Sequence, residues 1–434
     1  MNCDHVSRIE RFRQFKRGVR GSVRHLIVGI DIAKDKHHAF LGDANGKTVL
    51  RRLIITNDKE GFERLIAHVR QYMTRDGFDE AVFGVEPTSV YHKPLAEFLI
   101  DRGYLVVYVT NDAIKKNRSL IDGRWDKNDT KDSANVADLI SQGKCHFYDL
   151  PQQGLRDVRN LLLLRKRLKK QEHGQRIRIR NNLVAQYFPE LDRFWNKSEA
   201  ENLAIVRWCL SPIKIRDLEF DAFVRMVTSK NRGLKQRNRL RGVWETAAHS
   251  VGCHLGTSAE LEAEILVDDL EKIRARINQI ERRIHEICLG FEHYQLLMTI
   301  PGFGPYISAL ALASIGDPNR FENASQVIRL AGLDLNAVRS GKKSQSAAAV
   351  ISKRGKSDLR YGLYQAGLIA SSKNTRFMTY FENLLRGREK EKGIRTKMRV
   401  KLSAKMLVIA WTMMKKAQEF NPDLLKIEYP VGGR

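Results

Sequence analysis

The first patterned stretch of the chain is an apolar run rich in Val and Ile, His25–Ala33, followed by His38–Gly42 and Thr48–Thr56, with Asn45-Gly46 as a hairpin turn between the last two. Runs of this length and composition, joined by a tight turn, predict three antiparallel strands. The period then changes. Asn57 with Glu60 three residues later reads as a capping box, and Phe62, Leu65, Ile66, Val69 and Met73 mark one face of a helix. A buried strand Ala81–Glu86, a helix around His92–Arg102, a strand Tyr104–Thr110 and a helix from near Asn128 to Gly143 complete the order βββαβαβα. An α/β domain over 25–150 is expected, followed by an all-α remainder.

Beyond 150 the pattern is helical. Arg156–Arg180 mixes Leu155, Val158, Leu161, Leu162 and Leu168 with ten basic residues, which predicts an apolar stripe for packing and a positive face. The sequence from Pro189 to Gly256 gives helix-like stretches broken at Pro212. A heptad follows: Ala259, Ala263, Leu266, Leu270, Ile273, Ile277, Ile280, Ile284 and Ile287 alternate spacings of four and three. Such a repeat predicts a coiled coil over 258–290, expected to be a dimer contact, with an intramolecular helical hairpin against 155–185 as the alternative. In the C-terminal domain, 291–434, Thr299–Pro305 joins two helical stretches, so a helix-hairpin-helix element is expected. Its Gly302 and Gly304 would offer backbone N–H groups to a phosphate.

Charge narrows the partners. Lys and Arg number 76 against 50 Asp and Glu in 434 residues, a formal +26. The excess gathers in 1–24, 156–180, 339–360 and 386–405, leaving the rest near neutral. Clusters on a neutral scaffold suit a polyanion. Candidate nucleic-acid contacts in the second cluster are Arg156, Arg159, Arg165, Lys166, Arg167, Lys169, Lys170, Arg176, Arg178 and Arg180. Lys342, Lys343, Lys353 and Arg354 are the candidates in the third. The first cluster reads as a basic N-terminal extension, a tethering arm. No apolar stretch approaches the roughly 20 residues of a bilayer span, and the basic N-terminus lacks the apolar core of a secretory signal. Five cysteines without a CxxC pair fit a reducing cytoplasm and no disulfides. His249, Cys253 and His254 lack a fourth metal ligand and read as ordinary surface chemistry.

Acidic residues of the first domain stand where elements end. Asp31 interrupts an apolar strand, Glu86 closes another, and Asp129 and Asp132 are spaced to share a helix face, while Asp126 and Asp138 read as solvated. A carboxylate in a buried strand is costly without compensation, and hard oxygen ligands from separate elements suit Mg²⁺ or Mn²⁺. An actin-like kinase also opens with a strand ending Gly-Ile-Asp, but it needs further glycine-rich phosphate loops and has no use for this charge. Downstream, Ser340 lies in a glycine turn amid five cations, which would suit a nucleophile on a phosphodiester; turns also contain Ser and Gly for backbone reasons.

The runs Val28–Lys34, Glu86–Tyr91 and Lys127–Ser133 resemble the RuvC-like, RNase H-type domain of the DEDD transposases of insertion sequences, the IS-one-ten group, related to Piv-type DNA invertases. The stretch 296–370, with Ile-Pro-Gly-Phe-Gly, Ala-Gly-Leu, Arg-Ser-Gly-Lys and Ile-Ser-Lys-Arg-Gly in order, is similar to that group's C-terminal transposase domain. Ser89 and Ser133 stand where the group usually has Gly and Ala. The resemblance implies that Asp31, Glu86, Asp129 and Asp132 bind catalytic Mg²⁺ or Mn²⁺ and that Ser340 becomes covalently joined to DNA, with Ser344, Ser346 and Ser352 as fallbacks. It further implies a structured noncoding bridge RNA that selects donor and target DNA, contacted by 156–180. Expected partners are DNA, this RNA and a second copy of the chain, with no membrane, in a prokaryotic, nucleoid-associated setting. A RuvC-like junction resolvase would use the same carboxylates without a serine, and a nucleic-acid-binding protein without catalysis would need none of these groups.

Overall fold

The computed structural model describes residues 8–87, 89–121, 129–195, 199–228, 233–336 and 350–425. The chain divides into two compact units, one holding residues up to Gln152 with Asp317–Gln326, the other Gln153–Gly316 with Val327 onward.

The first unit is a mixed sheet. Helix α1 (Arg8–Val19) leads to β1 (His25–Asp31), β2 (Lys36–Gly42), β3 (Thr48–Thr56), α2 (Lys59–Asp76), β4 (Glu80–Val85), α3 (His92–Asp101), β5 (Leu105–Tyr108), α4 (Asn111–Ile121), α5 (Asp129–Ser141) and β6 (His146–Phe147). The strand order is β3-β2-β1-β4-β5-β6; β1–β4 and β4–β5 are parallel and the other pairs antiparallel. Strand alternation sorts the core onto two faces. Leu26, Val28 and Ile30 of β1 pack with Phe62, Leu65 and Val69 of α2 and Leu95 and Leu99 of α3. Ile27, Val82 and Val107 face the other way, onto Val136, Ala137 and Ile140 of α5 and Ile114 of α4. Each fully buried Leu, Ile or Val contributes about 1.5–3 kcal/mol.

Three readings of this region need correction. The N-cap of α2 is Asp58, not Asn57: the Asp58 carboxylate accepts from the Gly61 N–H at 2.7 Å, while Asn57 donates to the Lys34 carbonyl. Residues 8–19 are not a free arm. Val19 is fully buried, and Phe12 and Phe15 pack on Phe147, with ring centroids 4.8 and 5.5 Å away. Asp138 is half-buried rather than solvated, since its Oδ2 accepts from Asn117 and Gln142.

Among its described residues the second unit is helical apart from one pair of short antiparallel strands. Helix α6 (Gln153–Arg178) passes through a π-helical turn (Ile179–Val184) into α7 (Ala185–Tyr187). Next come α8 (Glu199–Cys209), α9 (Pro212–Arg216), α10 (Phe220–Val227), α11 (Leu234–Ala247) and the 33-residue α12 (Thr257–Leu289). The chain continues with α13 (Glu292–Met298), α14 (Pro305–Ile315), α15 (Ala324–Leu330), strands β7 (Leu335–Asn336) and β8 (Val350–Ile351), α16 (Ser357–Lys373), α17 (Thr375–Leu385) and α18 (Ile394–Lys416).

The heptad does form one continuous helix, but its stripe is covered by this chain rather than left for a second copy. Ile273 and Ile277 pack on Leu168 of α6, and Ala263, Leu266 and Leu270 join Leu203 and Val206 of α8, Phe223 of α10 and Leu240 of α11. Arg274 fastens the seam through Glu172 at 3.1 Å and Glu199 at 2.6 Å. The apolar stretch Ile307–Ile315 is the buried α14, and among the described residues no helix is long and apolar enough to cross a membrane. Cys145, Cys209, Cys253 and Cys288 are unpaired thiols.

Candidate functional site

Two glycines build the carboxylate end of the sheet. Gly29 of β1 and Gly84 of β4 stand opposite one another in the parallel register. A Cβ at Gly29 would lie 2.2 Å from the Ser133 carbonyl oxygen and 2.7 Å from the Ala137 nitrogen; one at Gly84 would lie 2.0 Å from Ile140 Cδ1. Helix α5 therefore rests directly on the backbone of both strands. Two residues on from each glycine come Asp31, the last residue of β1, which alternation directs to the same face as α5, and Glu86, the residue just past β4. Asp132 immediately precedes the Ser133 contact, and Asp129 opens the helix one turn earlier. Asp31 and Glu86 thus stand two residues past the glycines that α5 touches, and Asp132 precedes the residue that touches Gly29. Among the described residues no three His, Cys, Asp or Glu side chains, Asp31, Glu86 and Asp132 included, are gathered closely enough to form a metal-ligand set. The Asp129 side chain lies outside the described set.

Asp132 is 2% exposed, and Arg118 of α4 places Nη2 at 2.6 Å from its Oδ1 without hydrogen-bond alignment. Beside this ion pair, Asn117 donates to Asn135 at 2.8 Å and to Asp138 at 2.6 Å, and Asn135 donates to the Ile114 carbonyl. This buried network bolts α4 to α5. The donor chemistry fits Mg²⁺ or Mn²⁺: carboxylate oxygens on three elements, with Asp132 Oδ1 sealed from water and keeping acceptor capacity that a hydrogen bond has not filled. Two residues were missed from sequence. Arg118 gave no signal, since its partner lies on another helix. His38 stands opposite Asp31 in the β1–β2 register, so the two share a face, and strand pairing could have found it. Next to it, burial holds the His37 imidazole below its ordinary pKa. Just past Glu86, Ser89 has φ of 49°, the left-handed region where glycine is favoured.

The basic helix α6 is less available than its composition suggests. Arg165 pairs with Glu281 at 2.6 Å and lies over the Tyr306 ring; Lys166 pairs with Asp358 at 2.9 Å, Lys169 with Glu172 at 2.9 Å, Arg176 with Glu199 at 2.6 Å and Arg180 with Asp192. Arg159 donates to the Ala313 carbonyl at 2.8 Å, and Arg156 is half-buried. Arg167, Lys170 and Arg178 are exposed and make no ion pair with another described residue.

In the C-terminal region, Ser340, Lys342, Lys343, Ser344 and Ser346 lie outside the described residues. The strands that flank this stretch are described: β7 pairs with β8, Ser352 donates to Asp334 at 2.6 Å, and Gly332 and Gly355 touch so closely that a Cβ at Gly355 would lie 2.4 Å from the Gly332 nitrogen. Lys353, at φ 56°, and Arg354 are exposed at the foot of β8. Gly302, at φ 90°, is pressed against α16, where a Cβ would meet the Ala366 oxygen at 2.5 Å; Gly304 faces open space. Packing alone therefore accounts for the glycine at 302.

Residues 28–189 match a family profile for the DEDD transposase of IS110, described as Transposase, and residues 294–382 match one described as Transposase IS116/IS110/IS902 family. The 44.8 kDa protein of insertion element IS116 from Streptomyces clavuligerus is 23% identical over 421 residues, 92% of this chain and 98% of its own. The 43.6 kDa protein of insertion element IS110 from Streptomyces coelicolor is 23% identical over 327 residues, 73% of this chain and 77% of its own. The first profile spans β1 through α5 with the carboxylates, and the second spans the hairpin at Gly302 and the stretch around Ser340. From these matches, in the same order along the chain, it follows that this protein belongs to the IS110 family of insertion-sequence transposases.

Proposed function

We propose that this transposase cleaves and rejoins DNA with metal-bound Asp31, Glu86, Asp129 and Asp132 and with Ser340 as nucleophile, guided by a structured noncoding RNA of its element. The observation that supports the reading best is the facing pair Gly29 and Gly84, which seats α5 so that Asp132 starts beside the strand ends bearing Asp31 and Glu86. Bound Mg²⁺ or Mn²⁺ supplies positive charge against the charge that develops on the phosphate oxygens. Asp31, at the end of β1, and Glu86, just past the adjacent β4, would hold one side of the site, and Asp129 and Asp132 the other. The Ser340 oxygen bonds to phosphorus as the bond from phosphorus to a sugar oxygen breaks. The serine proton passes to a base, and the departing oxygen takes up a proton. In rejoining, a sugar hydroxyl attacks the phosphoserine ester and restores the serine. Lys342, Lys343, Lys353 and Arg354 would balance charge on the transferring phosphate.

The test is strand cleavage of the element's DNA in the presence of its RNA and Mg²⁺. Asp31→Asn should reduce cleavage by at least about a hundredfold, since removal of an electrostatic stabiliser typically costs that much, with an unchanged circular dichroism spectrum. Full cleavage by the variant would contradict the carboxylate assignment.

A further inference from the structure

Sorting the described cations of the second unit by their partners leaves exposed ones without an ion pair on α6 and α12, Arg167, Lys170, Arg178, Lys272 and Arg276 among them, and a further set gathered on one short stretch of chain. That stretch is the elbow between α17 and α18, residues 386–401. Arg386, Lys390, Lys392, Arg395, Lys397 and Lys401 are all exposed there; none is in a salt bridge with another described residue, and Lys397 alone lies close enough to a carboxylate, Glu391, to help hold its pKa down. The acids nearby are occupied within the elbow: Glu391 binds Arg388 through two hydrogen bonds of 2.8 Å, and Glu389 accepts from the Gly387 N–H at 3.1 Å. The contrast with α6, where five of the candidate cations are held in ion pairs, is a contrast in chemistry and not in count.

The surface is rigidly presented. Ile394, Met398 and Leu402, spaced by four, are buried, while Arg395, Lys397 and Lys401 of the same turns are exposed along the flanks of that stripe. Phe377, Phe381 and Leu385 bury the matching side of α17, and Arg399 lies over the Phe381 ring. Glycines at positive φ, Gly387 and Gly393, shape the two ends of the elbow. Residues 386–401 carry eight Lys and Arg against the two acids Glu389 and Glu391, and an excess of cations on exposed side chains matches a regularly charged polymer.

We propose that the α17–α18 elbow is a binding surface for the phosphodiester backbone of nucleic acid, engaged without reading sequence. The proposal rests on the reading of the protein as a nucleic-acid recombinase, but it concerns binding and is independent of whether Ser340 or the carboxylates act. The shared chemistry is the phosphate backbone, which duplex DNA and folded RNA both carry.

The experiment uses the full chain and two labelled probes, a 30-base-pair DNA duplex and an RNA hairpin, with affinity measured by fluorescence anisotropy across a salt series. The quadruple variant Lys390→Ala, Lys392→Ala, Arg395→Ala, Lys397→Ala is compared with the wild type. A second variant removes the same charge from exposed positions of the sheet unit, Arg51→Ala, Arg52→Ala, Lys93→Ala, Lys144→Ala. Each duplex phosphate that a variant no longer neutralises should lower the magnitude of the slope of log K against log salt by about 0.9, so the elbow variant should drop by about 3 to 4 on whichever probe the surface holds. A drop on DNA alone, on RNA alone or on both supports the proposal and names the polymer. An unchanged slope on both probes, or an equal drop in the sheet-unit control, overturns it. Melting curves check that the variant is folded, and the single variant Lys392→Glu, which sits in the turn outside both helices, repeats the measurement should the quadruple variant be unstable. The catalytic reading fails separately, by absence of cleavage in a wild-type protein that binds normally.

Discussion

Replacing Arg118 with Met tests how the candidate carboxylate site is held together. Met keeps most of the length and apolar stem of Arg and removes only the charge. Asp132 is 2% exposed and Arg118 25% exposed, so the substitution leaves a sealed carboxylate without its counter-charge. Removing one partner of a buried pair typically costs about 3–5 kcal/mol; partial exposure of the guanidinium places the expected loss near the lower figure, about 3 kcal/mol. Because the two units need not unfold together, the measurement is hydrogen exchange at the α5 amides rather than a global midpoint. A loss of about 3 kcal/mol corresponds to exchange faster by roughly 150-fold for amides that open with the unit. The variant should also respond more strongly to Mg²⁺ than the wild type, since a divalent cation then provides the missing charge, and Asp132→Asn combined with Arg118→Met should recover much of the protection. Unchanged α5 exchange in Arg118→Met, with the same Mg²⁺ response as the wild type, would refute this account of the pair.

Three further outcomes follow from the same geometry. Gly29→Ala brings a methyl to 2.2 Å from the Ser133 oxygen, so α5 must shift; we expect a loss of about 1–3 kcal/mol by denaturant melts and at least tenfold slower DNA cleavage, with every carboxylate intact. Ser89→Gly relieves a left-handed residue after Glu86 and should stabilise the sheet unit by about 1 kcal/mol, read as a slower opening rate of neighbouring amides. His37 is buried, and burial lowers its folded pKa below 6.5, so the unfolded chain takes up the proton first as pH falls. Stability from this group is present above pH 6.5 and is lost as pH drops below it; His37→Gln should flatten the melting profile of the sheet unit between about pH 7 and 5.

The first five strands of the sheet unit and their order along the chain were legible because alternation and element ends are local properties. Asp58 displaced Asn57 as the cap because its carboxylate reaches the Gly61 N–H, a choice between adjacent residues that composition cannot make. Helix α1 carried its signal in Phe12, Phe15 and Val19, spaced three and four apart, but the surrounding Arg and Lys hid it. The heptad announced a helix without saying what would cover it; Leu168 and the α8–α11 cluster, far away in sequence, did so. Likewise α6 read as a free basic face because Glu281, Asp358 and Glu199, which neutralise it, stand on other helices well removed along the chain. Charge counts locate cations, and only the fold shows which of them are available. On α6 the fold leaves Arg167, Lys170 and Arg178 exposed without an ion pair, while the elbow at 386–401 keeps six such cations on one short stretch.

The proposed function requires both Ser340 and the carboxylates Asp31, Glu86, Asp129 and Asp132 for DNA cleavage. The direct measurement is a denaturing gel of protein incubated with labelled element DNA, its RNA and Mg²⁺, in which covalently attached DNA shifts the protein band. The account predicts an adduct in the wild type that is lost in Ser340→Ala and in Asp31→Asn, with binding retained in both. An adduct that survives Ser340→Ala would contradict the serine assignment, and cleavage without any adduct would make water, as in a junction resolvase, the nucleophile.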